Sequence, residues 1–234
     1  MKLVRLLLPA LLLLAAPLAT TPVLKTPSQI LAAVFEKWKS VRDYQVDARI
    51  LADIPMIRSI PVTARIYFRQ PNQLKVESES IVILPIQGLG DYLPGAGDTT
   101  AYTAVIKGQE VIRNTPVSII SVIPDDPTTD MILGTFWIDQ AASVVMQSQI
   151  TTRSSGTVGT AYFYGKQKHL GLPDSLIYTV DVKEFKIPKG LAVDIHKTQS
   201  AKPMAATTGK IHVAFSNYTV NRGIPEGIFT KGQP

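Results

Sequence analysis

The chain has 234 residues and no cysteine. Without cysteine there are no disulfides, no thiolate metal sites and no lipid attached to an N-terminal cysteine, so the core must hold the fold together. Lysine and arginine number 24 against 18 acidic residues, a formal net charge of +6. Such a surplus fits either attraction to anionic head groups or a mixed, solvated surface, and no basic run indicates a nucleic-acid partner.

The N-terminal segment has the pattern of a secretory signal peptide. Lys2 and Arg5 precede an apolar run at 6–14 that is short for a membrane span. We expect residues 1–20 to be removed on export to the periplasm, with an uncleaved membrane anchor as the alternative. Residues 21–234, with a net charge of about +4 once Lys2 and Arg5 are gone from the +6 total, are enough for a single domain.

An amphipathic helix is predicted to begin after Thr26. Thr26, Pro27 and Gln29 match an N-cap, a proline at the first helical position and the return partner of a capping box. Apolar residues then recur at helical spacing, namely Ile30, Leu31, Val34, Phe35, Trp38 and Val41. Such a helix has one face to bury.

Three antiparallel strands are predicted next, over 44–50, 62–69 and 74–79, because the hydrophobic period changes from 3.6 to 2. Polar residues alternate with the apolar ones, so each strand has one solvent-exposed polar face and one apolar face. The apolar positions are Tyr44, Val46, Ala48, Ile50, Val62, Ala64, Ile66, Phe68, Leu74 and Val76.

The remainder of the chain continues as strands, which brings the expected total to about nine to eleven. Residues 107–110 are interpreted as a hairpin turn between strands at 101–106 and 111–113. The further strand candidates are 133–139, 144–152, 157–164, 176–185 and 211–220.

Three segments rich in Gly, Pro, Thr or Asp, at 87–100, 115–130 and 186–208, are predicted to be loops, lids or short helices. Apolar side chains in the first two could serve a lid: Tyr92, Leu93, Val117 and Ile120. The alternative is that these side chains complete a dry core.

Five segments, taken together in their order and spacing, resemble the LolA-like outer-membrane lipoprotein-sorting proteins. They are the helix and first strand at 30–50, a basic-proline turn at 69–74, a glycine hairpin at 104–111, a strand ending in aspartate at 136–139 and a closing strand at 215–221. The resemblance implies an α+β, mainly β fold: an open, strongly curved antiparallel half-barrel closed by a helix and lid loops over an apolar cavity.

An apolar cavity is also suggested by geometry. One helix covers only part of the apolar face of a sheet of about ten strands, so either a second layer fills the remainder or an apolar space is left. The residues expected to line such a space are Phe35, Trp38, Val46, Ile50, Val62, Ile66, Phe68, Leu74 and Val76.

The turn Arg69, Gln70, Pro71 is expected to gate the cavity, because the resemblance implies that the residue before this proline helps to set its opening. In the lipoprotein chaperones that residue is an arginine. Here it is Gln70, with Arg69 one step earlier and therefore on the other face of a strand.

The resemblance implies a monomeric periplasmic carrier without a cofactor, which binds acyl chains of a lipid or lipoprotein and transfers them across the envelope. An envelope membrane complex would be the donor or acceptor. The alternative is a sensory or structural envelope domain that binds a protein partner through the same sheet. An enzyme is not expected, because His169, His196 and His212 lack ligand spacing and the acidic residues lack a calcium-loop pattern.

Overall fold

The structure is a computed structural model that describes residues 25–54, 61–80, 101–154, 156–181 and 208–230. Helix α1 (Pro27–Lys39) comes first. The ten strands are β1 (Asp43–Asp53), β2 (Val62–Arg69), β3 (Gln73–Glu77), β4 (Tyr102–Ile112), β5 (Thr115–Pro124), β6 (Met131–Asp139), β7 (Val144–Thr152), β8 (Gly156–Phe163), β9 (Ser175–Asp181) and β10 (Thr208–Val220). A 3₁₀ turn, Lys168–Leu170, precedes β9, and a short helix, α2 (Gly227–Thr230), follows β10.

The ten strands form one antiparallel sheet in the order β3-β2-β1-β10-β9-β8-β7-β6-β5-β4. The strands at the two ends of this order do not pair with each other, so the sheet is not closed into a barrel. The predicted mainly β, half-barrel architecture is confirmed, as is a strand count within the expected range. No helix in the described part of the chain is long and apolar enough to cross a membrane.

Helix α1 begins as the sequence predicts. The Thr26 hydroxyl accepts a hydrogen bond from the Gln29 N–H at 3.2 Å, and the Gln29 side chain accepts one from the Thr26 N–H at 2.9 Å. These reciprocal bonds satisfy two of the backbone donors that a helix start leaves unpaired. Ile30, Leu31 and Val34 form the buried stripe of the helix.

The buried residues form two main clusters, one on each half of the sheet. The helix-side core joins the α1 stripe to β4–β8, and its members include Ile120, Val122, Phe136, Ile138 and Ile150. The strand-side core lies on β1, β2, β9 and β10, and its members include Val46, Ile50, Ile66, Ile211 and Val213. Tyr162 packs against both clusters. The helix therefore covers only one half of the sheet.

The predicted alternation of the first three strands is confirmed. Val46 pairs with Ile66 and Ile66 with Val76, so their side chains share one face of the sheet. On the opposite face Asp47 pairs with Arg65, whose Nε donates to the carboxylate at 2.8 Å.

The predicted hairpin turn at 107–110 is wrong. Strand β4 runs through these residues. Its pairing with β5 shifts at a bulge between Ile106 and Gly108, and the strand continues beyond the glycine. The chain reverses instead at Arg113 and Asn114, whose φ angles of 48° and 60° suit a two-residue hairpin loop.

The predicted loop at 115–130 is wrong over Thr115–Pro124, which form strand β5. Val117, Ser118, Ile120, Ser121 and Val122 are buried there. The strand is covered on both faces, so its sequence lacks the clean alternation that marks a half-exposed strand. The other two predicted loops, at 87–100 and 186–208, lie outside the described residues, except that Thr208 begins strand β10.

We predict that Ile66→Asp lowers the free energy of unfolding by more than about 3 kcal/mol, because Ile66 is buried in the strand-side core and an unpaired carboxylate would be desolvated there. The neighbouring change Arg65→Gln removes only an exposed ion pair and should leave stability nearly unchanged. Urea unfolding followed by circular dichroism measures both. Equal effects would contradict the register, because a slip of one residue exchanges the two faces.

Candidate functional site

A cavity of about 180 Å³ lies between the C-terminal half of α1 and the inner face of the sheet. Among the described residues, its lining contains no charged side chain. The helix contributes Val34 and Trp38, and the segment before β9 contributes Gly171, Leu172 and Pro173. The strands and their ends contribute Tyr44, Ile66, Leu74, Ser143, Val144, Val145, Tyr162, Tyr164, Leu176, Tyr178, Phe215 and Tyr218.

One side of the cavity is built from a continuous row of rings, here called the aromatic wall. Its members, in spatial order, are Phe35, Trp38, Phe68, Tyr44, Tyr218 and Phe215, and successive ring centroids lie 5.2–6.0 Å apart. The wall runs from α1 across β2 and β1 to β10. Aromatic pairs at these separations contribute roughly 0.5–1.5 kcal/mol beyond the area they bury, so the wall is a rigid surface.

A bulge in β10 places two of these rings on the same face. Gln45 pairs with Thr219 but Asp47 pairs with Ser216, so β10 carries an extra residue, and Asn217 adopts a φ of 56°. Side chains three positions apart on a regular strand would point to opposite faces. Here Phe215 and Tyr218 both line the cavity, with ring centroids 6.0 Å apart.

Three tyrosine hydroxyls around the cavity form hydrogen bonds with protein groups. The Tyr164 hydroxyl donates to the Val145 carbonyl at 2.8 Å, and the Tyr218 hydroxyl donates to the Pro173 carbonyl at 2.9 Å. The Tyr162 hydroxyl lies 3.2 Å from the Ser148 hydroxyl. Burial raises the pKa of all three phenols, so they stay neutral.

The composition and size of the cavity restrict what it can hold. An apolar cavity of about 150 Å³ holds a molecule such as benzene, whereas drug-sized pockets measure about 300–1,000 Å³. At about 180 Å³ the present cavity matches one end of an apolar chain rather than a whole lipid. Among the described residues, no group of three or more His, Asp or Glu side chains could hold a metal ion.

The residues predicted to line a cavity fall into three groups. Trp38, Ile66 and Leu74 lie on its lining, and Leu74 is 37% exposed, so it lies where the cavity meets solvent. Phe35 and Phe68 belong to the aromatic wall. The others share the same face of the sheet but pack in or near the strand-side core, away from the lining: Val46, Ile50, Val62 and Val76.

Two of the four residues predicted for a lid lie in the described part of the chain, and neither lines the cavity. Val117 and Ile120 are buried on strand β5, Val117 beside Val144 and Met146, and Ile120 in the helix-side core. Tyr92 and Leu93 lie outside the described residues.

Sequence reasoning placed none of the lining tyrosines in the cavity. Tyr44 was assigned to the apolar face of the first predicted strand, so the alternation alone was enough to include it in the lining. The bulge that turns Tyr218 inward has no sequence signal except Asn217, a residue type that tolerates positive φ.

The turn predicted to gate the cavity contacts the end of α1. The Gln70 amide nitrogen lies 2.8 Å from the Val41 carbonyl oxygen, 3.1 Å from that of Lys39 and 3.4 Å from that of Trp38. The two hydrogens of this amide are shared among the three carbonyls, of which those of Trp38 and Lys39 belong to the last turn of α1 and that of Val41 follows it. Gln70 thus fastens the end of α1 that carries Trp38 into the cavity.

Two further contacts fix the same junction. Asn221, after β10, accepts a hydrogen bond from the Arg42 N–H at 2.7 Å and donates to the Ser40 carbonyl at 2.9 Å. The Arg69 guanidinium, on the other face from Gln70, stacks over the ring of Phe229 in α2, 4.6 Å from its centroid. Arg69 therefore contacts the C-terminal turn, and Gln70 contacts the helix.

No protein-family model matches the chain, and no curated protein matches it. Solved structures do share its fold. One, from Vibrio parahaemolyticus, is named as a candidate outer membrane lipoprotein-sorting protein domain; it is 13% identical, with a TM-score of 0.56, covering 86% of this chain and 96% of the other. A LolA superfamily protein from Nitrosomonas europaea is 14% identical, with a TM-score of 0.50, covering 89% and 99%.

A DUF1329 family protein from Desulfovibrio piger is 9% identical, with a TM-score of 0.52, covering 88% of this chain and 98% of the other. Identities this low show a common fold and nothing finer. The chain has the fold of the LolA-superfamily structures, as the sequence resemblance predicted.

We predict that Gln70→Glu, which is nearly isosteric, lowers the free energy of unfolding by about 2 kcal/mol. A carboxylate cannot donate to the three carbonyls and is repelled by the negative end of the helix. The control is Gln73→Glu on the same turn, where the side chain accepts from Arg69 and a carboxylate improves that contact. Thermal unfolding should show a lower melting temperature for Gln70→Glu, and a higher or unchanged melting temperature for the control. Equal losses would show that Gln70 does not fasten the helix.

Proposed function

We propose that this protein is a carrier that binds acyl chains of a lipid or lipoprotein in the cavity between α1 and the sheet. The observation that carries the proposal is an uncharged, aromatic-walled cavity that helix α1 leaves open beside one half of the sheet. The fold shared with a LolA superfamily protein and with a candidate lipoprotein-sorting domain supports it.

Burial of hydrocarbon provides the driving force. Each methylene removed from water contributes about 0.8 kcal/mol, and rings in van der Waals contact with the chain add dispersion energy. The lining offers no ion pair and the proposal requires no cofactor, so affinity scales with chain length rather than with a single polar contact. That scaling suits a protein that binds acyl groups and gives them up again.

The proposal includes the setting in which the carrier works. Residues 1–20 act as a signal peptide, and residues 21–234 form one lipid-binding domain that works in the periplasm as a monomer. An envelope membrane complex delivers or receives the acyl chains. We infer a binding role rather than catalysis.

Filling the cavity should abolish binding. Leu176 and Ile177 are neighbours on β9, and only Leu176 lines the cavity. We predict that Leu176→Trp weakens the binding of N-phenyl-1-naphthylamine, a neutral fluorescent apolar probe, at least tenfold, because the indole occupies the space that the probe requires. The matched change Ile177→Trp, on the opposite face, should leave the affinity within twofold.

Fluorescence titration measures both affinities, and circular dichroism checks that each variant is folded. Equal binding by a folded Leu176→Trp protein would contradict the assignment of the cavity. Mass spectrometry of protein purified from its host envelope should in addition detect acyl lipid in the wild type and less of it in Leu176→Trp.

A further inference from the structure

The Tyr44 hydroxyl on the cavity lining differs from the hydroxyls of three other lining tyrosines, Tyr162, Tyr164 and Tyr218. The Tyr164, Tyr218 and Tyr162 hydroxyls each have a protein partner within 3.2 Å. The Tyr44 hydroxyl has no hydrogen-bond partner among the described residues, and burial alone raises its pKa to about 12. Tyr44 is therefore a neutral donor at physiological pH, held on the lining without an acceptor.

The ring of Tyr44 is fixed in place by the aromatic wall. Its centroid lies 5.2 Å from that of Phe68, in a stacked arrangement, and 5.9 Å from that of Tyr218, in an edge-on arrangement. The hydroxyl cannot swing to another partner without breaking this packing. Buried polar groups in proteins are normally hydrogen-bonded, so a hydroxyl without a protein partner beside a cavity is matched to a water or a ligand atom.

The electrostatics of the cavity disfavour an anion. Its described lining carries no cation. Two lysines near it are already engaged, Lys37 with the Ala142 carbonyl and Lys168 with the Asp139 carboxylate at 3.1 Å. Arg113, whose charge acts to lower the pKa of Tyr164, is also engaged, because it donates to the Met146 carbonyl at 3.2 Å and to the Tyr162 carbonyl at 2.7 Å. The Asp174 carboxylate lies close enough to Tyr218 to help raise the pKa of that phenol. A carboxylate carried into this space would be desolvated without a counter-ion.

We propose that the cavity selects acyl groups with a neutral carbonyl, an ester or an amide, over ionised fatty acids, and that the Tyr44 hydroxyl donates a hydrogen bond to that carbonyl. This inference rests on the proposed carrier function and names the chemistry of its ligand. A plain hydrocarbon would displace water from Tyr44 and leave the hydroxyl unpaired, whereas a carbonyl oxygen replaces the lost bond.

Competition against N-phenyl-1-naphthylamine, which has no carbonyl, tests the selection on the full-length protein at pH 8. The competitors have one chain length: methyl decanoate for the ester of a lipid, N-methyldecanamide for an acylated amine of a lipoprotein, and decanoate for the ionised acid. On the wild type we expect the ester or the amide, or both, to bind at least tenfold more tightly than decanoate. Tighter binding of the ester would identify a lipid as the source of the acyl group, and tighter binding of the amide would identify an acylated amine of a lipoprotein.

Tyr44→Phe should weaken binding of the ester or amide about five- to tenfold, the loss expected for one hydrogen bond. The same variant should bind the carbonyl-free probe within twofold of the wild type and should melt at the same or a higher temperature, because the hydroxyl that it removes has no protein partner. The control Tyr67→Phe removes a hydroxyl on the face of β2 opposite to the cavity, where Tyr67 contacts Arg65. It should leave the affinities for the ester, the amide and decanoate within twofold of the wild type.

Equal affinities of methyl decanoate and decanoate for the wild type would overturn the inference, and that comparison needs no variant. An unchanged ester and amide affinity in folded Tyr44→Phe would also overturn it. A wild-type protein that binds neither the probe nor any competitor would instead overturn the proposed carrier function, so the two failures are distinguishable.

Discussion

The packing of α1 against one half of the sheet is the constraint on which the rest of the structure depends. The buried stripe of α1 packs in the helix-side core through Ile30, Leu31 and Val34. A helix is about 10 Å wide, so it cannot also cover strands β1, β2, β9 and β10 on the other half. That half must pack its own side chains, and it does so in the strand-side core. The space between the two cores is bridged by Trp38 and Tyr162 and is not filled by either.

The cavity remains open because its walls cannot relax into it. Large-to-small changes in a core cost less when neighbours collapse into the gap, and collapse needs flexible side chains. Here the wall is made of rings with few rotatable bonds, stacked on one another. Two of the lining tyrosines are held at their far ends by backbone carbonyls, Tyr164 by that of Val145 and Tyr218 by that of Pro173. Preorganisation of this kind reduces the entropy lost when a ligand enters.

Features set by neighbouring residues could be predicted from the sequence. The capping box of α1 and the alternation of β1, β2 and β3 depend on contacts within a few positions or between adjacent strands, and both were found. Strand β5 was missed because it is covered on both faces, which removes the alternation, and Pro116 made it resemble a loop. The turn at Arg113 and Asn114 was missed because Gly108, which sits beside a bulge, was preferred as the turn residue to Asn114, although asparagine also tolerates positive φ.

The cavity lining was only partly predictable for a different reason. Trp38, Ile66 and Leu74 follow from the helical and strand periods together with the idea of an uncovered sheet. The positions of the tyrosines depend on contacts between distant parts of the chain. The bulge at Asn217 turns Tyr218 inward, and the Pro173 carbonyl accepts the hydrogen bond of its hydroxyl. A local sequence pattern cannot predict such contacts.

Under the proposed carrier function, the cavity would widen for a longer chain only if the contacts at the end of α1 opened. Moving Trp38 away from the sheet breaks the Gln70 contacts to three carbonyls, of which only that to Val41 is as short as 2.8 Å. Neutral hydrogen bonds contribute about 1 kcal/mol each, so release of this amide costs about 1–3 kcal/mol. Two to four further methylenes, at about 0.8 kcal/mol each, offset that cost. A short chain would leave the helix fastened, and a longer one would widen the cavity with little net change in affinity.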